Sequence, residues 1–256
     1  MHITDSHNHL HFSQYKVDFQ EVMDRSIASG VRTMLLVGID PEDSLHALQK
    51  AQLFDELYSS IGIHPQKARS YNHEDVKALA GLSHNKKVIA VGETGFDLFR
   101  NPESVDQQKA LFSAHIELSK DLGLPLIIHD RDAHDETTKV LDEINGWVSG
   151  GVFHCFSGDV SLAKKVMDNG FFISIPGVVT YKNASRLREV VSFCPLDILL
   201  VETDAPYLTP VPYRGKRNDP SYIIQTLQEV ARLKQVSLEK AAESTTLNFQ
   251  KLFLKG

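Results

Sequence analysis

The sequence predicts an α/β fold, a (β/α)8 TIM barrel that runs through residues 1–256 as one domain. Three observations carry this expectation. Short apolar runs alternate with amphipathic stretches along the whole chain, the rhythm of β/α units. The runs are nearly continuous in apolar residues, as strands covered on both faces are. Eight such units in 256 residues match the usual size of that barrel. A doubly wound open sheet is the alternative. It usually has fewer strands, and no Gly-x-Gly-x-x-Gly turn follows the first run here.

The predicted strands are Ile3–Asp5, Thr33–Ile39, Ser59–Ile63, Val88–Glu93, Leu124–His129, Gly151–His154, Phe171–Ile175 and Asp197–Glu202. A helix over 17–29 carries Phe19, Val22, Met23 and Ile27 at helical spacing and stops at Gly30. A longer one over 104–122 carries Leu111, Ala114, Leu118 and Leu122, with Gly123 and Pro125 beyond it. Helices are also expected over 133–145, over 160–169 before Gly170, and over 184–191. A further one starts near Pro220, and the last covers 237–252.

Composition narrows the function. Apolar residues at 42% and charged residues at 23% exclude a disordered chain. Apolar runs such as Met34–Val37 and Ile198–Val201 fall far short of the ~20 residues that span a membrane, so no membrane association is expected. The start MHITDSHNHL lacks the basic and apolar parts of a secretory signal, and a cytoplasmic location is expected. Two cysteines, Cys155 and Cys194, cannot build a disulfide framework or a four-cysteine zinc site. With a net charge of −6, an anionic substrate must be held by a local basic patch or by metal ions. The count of 12 histidines is high, and histidine is the commonest metal ligand.

The polar residues fall at strand ends, which converge on the catalytic face of such a barrel. His7 and His9 are two apart in an extended segment, so both imidazoles face one way. Such a pair either grips a metal or is a surface His-x-His. Glu93 ends an apolar run, where a carboxylate needs a metal or a salt bridge. His129 and His154 each follow apolar strand residues; singly, either reads equally as a hydrogen-bonded core histidine. Asp204 follows Glu202 at strand spacing, one as ligand or base and the other as its support. Jointly, these four histidines and two carboxylates suffice for two divalent ions, with Glu93 placed to bridge. Their nitrogen and oxygen donors suit Zn²⁺, Mn²⁺, Mg²⁺, Fe or Ni.

The motifs DSHNHLHF (5–12), GIHP (62–65), GETGFD (92–97), LPLIIHDRDA (124–133), GVFHCFSG (151–158) and ETDAPYLTPVPYRGKRNDP (202–220) come in that order. On them the chain resembles the TatD-type metal-dependent deoxyribonucleases, a branch of the amidohydrolase-like barrels. The resemblance implies one metal on His7, His9, Glu93 and Asp204, and a second on Glu93, His129 and His154. It implies hydrolysis of DNA phosphodiesters with Mg²⁺, Mn²⁺ or Zn²⁺, commonly as a 3′-to-5′ exonuclease on single-stranded DNA. It also implies a cytoplasmic setting linked to DNA repair, with no obligate protein partner. Gln66, Thr94, Phe96 and Leu98 depart from the family's usual residues without removing a ligand.

Spacing and resemblance agree that Asp204 is the base for the attacking water, with Glu93 the other catalytic residue. His64 either contacts phosphate or is a turn histidine before Pro65. Arg131, Arg214, Lys216 and Arg217 suit phosphate oxygens, the last three otherwise forming a solvated loop. Phe96, Phe99 and Tyr207 either stack on bases or pack. Cys155 is expected to point away from the site, since strand neighbours alternate. His2, His46, His73 and His84 are expected to face solvent.

Three rivals remain. One is an amidohydrolase acting on a C–N bond or lactone; many of these bridge their metals with a carboxylated lysine where Glu93 stands. Another is an ester hydrolase such as an aminoacyl-tRNA deacylase. The last is a non-catalytic metal-binding protein, which loss of a ligand would signal.

Overall fold

Parallel pairing runs in sequence order through strands β1 (Ile3–Asn8), β2 (Val31–Leu36), β3 (Leu57–Ile61), β4 (Val88–Asp97), β5 (Leu126–Arg131), β6 (Gly151–Phe153), β7 (Phe172–Ile175) and β8 (Leu199–Val201). This is a computed structural model; it describes residues 1–254, with position 103 described by its backbone alone. The sheet curls into a nearly closed barrel. Its seam between β8 and β1 is bridged by the Asp204 amide to the His7 carbonyl (2.9 Å) and the His9 amide to the Ala205 carbonyl (2.8 Å). Lower down, the Ser6 hydroxyl donates to the Val201 carbonyl at 3.0 Å.

Helices follow the strands: α1 (Phe19–Ala28), α2 (Pro41–Ala51), α3 (His73–Ala78), α4 (Val105–Leu122), α5 (His134–Glu143), α6 (Val160–Asp168), α7 (Ser185–Phe193), α8 (Ile223–Lys234) and α9 (Leu238–Phe253). The sequence reading gave no helix over α2 or α3. The signal for α2 is present: Asp40 caps the Asp43 amide at 2.8 Å, and Pro41 takes the first helical position. The long helix α4 ends as expected at Gly123, with φ of 65°.

The barrel interior is layered. Leu35, Ile89, Ile127, Val152, Phe172 and Leu200 point inward and meet Phe249, Leu252 and Phe253 of α9. That helix lies across the strand starts, where Asn248 donates to the carbonyls of Leu196 (2.9 Å) and Leu199 (2.8 Å). Above this apolar plug come buried serines, with Ser6 and Ser174 bonded at 2.9 Å. Outward-facing residues pack against the helices in the main core.

Two strands depart from regular register near their upper ends. From Asp5 to Asn8, β1 takes three steps where β2 takes two from Met34 to Leu36. From Val91 to Thr94, β4 likewise takes three where β5 takes two from Leu126 to Ile128. Each is a one-residue bulge, which re-aims the side chains beyond it. The β4 bulge needs close backbone approach: a Cβ on Gly62 would lie 2.7 Å from the Glu93 nitrogen, and one on Gly92 2.6 Å from the Ile127 carbonyl. Among the described residues no helix is long and apolar enough to cross a membrane.

Candidate metal centre and active site

His129 and His154 reach the site by plain alternation. Inward Ile127 is followed by outward Ile128 and inward His129, and inward Val152 by outward Phe153 and inward His154. His7 and Glu93 depend on the bulges. Ser6 already points into the barrel, so a regular strand would turn His7 outward. Glu93 lies three residues past inward Ala90 and would likewise face out without the extra residue in β4.

The result is a buried carboxylate ringed by imidazoles. Glu93 Oε1 lies 2.6 Å from His129 Nδ1, 2.8 Å from His154 Nε2 and 3.3 Å from His64 Nε2. Glu93 Oε2 lies 3.5 Å from His7 Nε2 and 3.9 Å from His9 Nε2. Asp204 Oδ1 completes that side, 3.8 Å from His7 and 3.5 Å from His9. Three groups have donor atoms within 4.8 Å of one another: His7, His9 and Asp204; His64, Glu93 and His129; and His7, His154 and Glu202. The six residues expected to hold metal are therefore brought together, with His64 and Glu202 beside them.

The donor set fits divalent cations. Imidazole nitrogens face one another at 3.3 Å between His7 and His9 and at 3.2 Å between His129 and His154. Two lone pairs at such separations repel unless a proton or cation is shared, and nitrogen with carboxylate oxygen suits a divalent ion. The rings are held for the purpose. His9 Nδ1 donates to the Val37 carbonyl at 2.9 Å, leaving Nε2 for the site. Asp97 Oδ2 faces His129 Nε2 at 3.5 Å, and Glu202 Oε1 faces His154 Nδ1 at 3.6 Å.

Charge is strongly coupled here. Burial alone would raise the Glu93 carboxyl; the charges of His154 and His64 and hydrogen bonds from His129 and His154 outweigh it and hold it well below the ordinary range. Burial, then neighbouring His154, pushes His7 down to about 3, which keeps its imidazole neutral. Burial also opposes charge on His154, but Glu93 and Glu202 raise it well above its ordinary value. Asp97 is held low: against burial, the facing His129 ring and the Gln66 amide, which donates to it at 2.7 Å, favour its charged form.

Beneath the site Asp5 ties the seam. Its carboxylate accepts from the Thr203 amide (2.9 Å), the Thr203 hydroxyl (2.6 Å) and Asn8 Nδ2 (3.1 Å). This fixes β1 against the turn that presents Asp204. Sequence reasoning gave no role to Asp5 or Asp97. Their signal was position: Asp5 lies two residues before His7, and Asp97 lies four after Glu93 in the same run.

A cavity of about 710 Å³ opens over these groups, lined on one side by Arg131, Arg100 and Lys67 and on the other by Phe12 and Tyr207. The Arg131 guanidinium lies over the Phe99 ring at 4.1 Å, and Lys67 is paired with Asp40. His64 belongs to the centre: it accepts from the Gln66 amide at Nδ1 (3.1 Å) and so carries its proton on Nε2, toward Glu93.

The expectations for Phe96 and Cys155 are corrected. Phe96 is 1% exposed and packs on Phe112, so it offers no face to a base. Cys155 lines the cavity and does not point away from it. The strand ends at Phe153, and a φ of 46° at Cys155 breaks the alternation. Arg214, Lys216 and Arg217 lie outside the cavity lining. Arg214 stacks on Tyr181 at 3.8 Å, while Arg217 bonds Asp18 and the Gln14 carbonyl and lies over Tyr15 at 4.4 Å. His2, His46, His73 and His84 are exposed, as expected.

Known proteins share this arrangement across their length. The family model described as TatD related DNase matches residues 4–254. The uncharacterized metal-dependent hydrolase YabD of Bacillus subtilis is 40% identical over 97% of this chain and 98% of its own. The 3′-5′ ssDNA/RNA exonuclease TatD of Salmonella typhimurium is 33% identical over 94% of this chain and 95% of its own. The crystal structure of YJJV, a TatD homologue from Escherichia coli K12, superposes with a TM-score of 0.93 at 28% identity, covering 99% of this chain and 98% of that one. With the family model matching residues 4–254 and relatives covered nearly end to end, the chain belongs to the TatD related DNase family and is a metal-dependent hydrolase.

Proposed function

We propose that the chain hydrolyses phosphodiester bonds of single-stranded nucleic acid, DNA above all, from its 3′ end, using two divalent ions. The observation that carries the reading is the division of Glu93: one oxygen faces His129 and His154, the other His7 and His9. In this reading His7, His9, Asp204 and Glu93 would hold one ion, and Glu93, His129 and His154 would hold the second. Ions of Mg²⁺, Mn²⁺ or Zn²⁺ would supply positive charge to the phosphate oxygens and ease deprotonation of water.

The chain's own groups do the rest. Asp204, with its side chain 14% exposed, meets water more readily than Glu93 at 4%, and takes the proton of the attacking water. The water oxygen joins phosphorus, the bond from phosphorus to the sugar oxygen breaks, and that oxygen leaves as a hydroxyl with a proton from solvent. His64 offers its Nε2 proton beside the reacting phosphate. Arg131, steadied on Phe99, pairs with phosphate oxygens from the cavity wall. Arg214 and Lys216 bind phosphates farther along the strand, while Arg217 braces the segment around Asp18. The depth of the centre supports a single strand: with Glu93 3% and His154 5% exposed, a phosphate must enter the barrel mouth, and an unpaired strand is the thinner and more pliable entrant.

The test is an end-labelled single strand digested by protein stripped of metal and reloaded with each ion. Activity is expected to vanish on stripping and return with metal. In Asp204→Asn, kcat falls about 10²–10⁴-fold with the fold intact. Full activity in protein verified to hold no metal, or near-normal kcat in Asp204→Asn, overturns the proposal.

A further inference from the structure

A second cavity, of about 600 Å³, adjoins the first and shares Phe12 and Tyr207 with it. These two side chains form the ridge between them. Phe12 lies flat against His9, with centroids 4.6 Å apart and planes 16° from parallel. Tyr207 is 50% exposed and stands three residues beyond Asp204, its amide bonded to the Asp204 carbonyl at 2.8 Å. Whatever crosses this ridge leaves the reaction cavity directly past the proposed base.

The far side offers the two surfaces a nucleotide needs. Tyr207, half exposed, presents an aromatic wall; Phe19 also lines this cavity, its ring covered by Lys50 Nζ at 4.7 Å. Lys16 adds a second exposed ammonium group. The carboxylate in the lining, Asp43, is already engaged by His11 at 2.9 Å and the Ile39 amide at 3.0 Å. The two lysines outnumber it. The rim is rigid because Arg217 grips Asp18 and the Gln14 carbonyl from behind. Aromatic faces beside ammonium groups in a groove are the elements of sequence-tolerant single-strand binding.

We infer that this second cavity is a nucleotide subsite. It takes the nucleotide next to the scissile phosphate, with its base on the aromatic wall and its phosphate on Lys16 and Lys50. The inference rests on the nuclease reading above and adds where the strand runs. It also gives the chain a reason to prefer a polynucleotide over a small phosphodiester.

The experiment compares a single-stranded thymidine octamer with bis(4-nitrophenyl) phosphate, a diester that has no neighbouring nucleotide. The proteins are the metal-loaded wild type and Lys16→Gln/Lys50→Gln. Both substitutions are at the surface cavity and outside the metal centre. The double variant is expected to raise KM for the octamer about tenfold and leave kcat within about twofold. It should flatten the slope of log KM against log salt by about 0.7, the value for one single-strand phosphate contact. Its rate on the small diester stays at the wild-type value. A wild type that cleaves the octamer, with a variant whose KM and salt slope are unchanged, overturns the subsite alone. Equal loss on both substrates also overturns it, since the lysines then act on the whole protein. A wild type that cleaves only the small diester overturns the nuclease reading, and the subsite with it.

Discussion

At the lower end of the barrel Ile89, Ile127 and Leu200 meet Phe249 and Phe253 in an apolar cluster. At the upper end the same strands, a few residues on, carry His129, Glu93 and Glu202, all inside. The lower end follows the plain alternation of a pleated strand, and burial of apolar area there stabilises the fold. The upper end takes charge out of water, which is costly unless every group is paired. It also needs bulges in β1 and β4 to aim its ligands. One end of the barrel contributes stability and the other places that stability at the disposal of chemistry.

The strongest way to break this contrast is Glu93→Gln. The change preserves shape but removes the charge that both histidine pairs face. Activity is expected to fall about 10⁴-fold and bound metal to drop in elemental analysis, with the fold retained. A folded variant within tenfold of normal activity would remove Glu93 from the centre of the upper end. Phe249→Ala is the complementary change. It should cost about 3–5 kcal/mol in urea unfolding and leave kcat within about twofold at a temperature where the protein stays folded. Unchanged stability would mean that α9 is not the plug its packing indicates.

A smaller effect sharpens the contrast through a buried histidine away from the centre. His115 on α4 accepts from the Ile63 amide at 3.0 Å and donates to the Leu111 carbonyl at 2.7 Å. Burial pushes its pKa down from 6.5 to about 4, partly opposed by that carbonyl. Below pH 6.5 the unfolded chain takes up a proton that the folded chain refuses. Its stability contribution is therefore complete above pH 6.5 and is lost between pH 6.5 and 4, by about 3 kcal/mol at full effect. Urea midpoints across that range should fall more steeply in wild type than in His115→Gln. Parallel curves would show that His115 does not titrate as its surroundings dictate.

How much of this was legible in the sequence differs by element. His129 and His154 were legible because alternation alone carries them inward. His7 and Glu93 were found by type and motif, but their aim rests on one-residue bulges that apolar patterning does not reveal. The same local geometry misplaced two neighbours. Phe96 was taken for a mouth residue because β4 was expected to end at Glu93, whereas it runs on to Asp97. Cys155 was turned away by an alternation that its left-handed backbone does not obey. Asp5 stayed without a role because its partner, Thr203, is 198 positions along the chain. The basic loop was legible as charge, but Arg217 finds Asp18 only when the barrel closes.

That closure has a consequence for the order in which the protein is made. His7 and His9 are made about two hundred residues before Glu202, Asp204 and the Thr203 that locks Asp5. A growing chain therefore displays its first histidines long before it owns a complete centre. Contacts so far apart in sequence also form late in folding. A complete centre is thereby a property of the finished barrel, in which the segment after β8 has closed against β1.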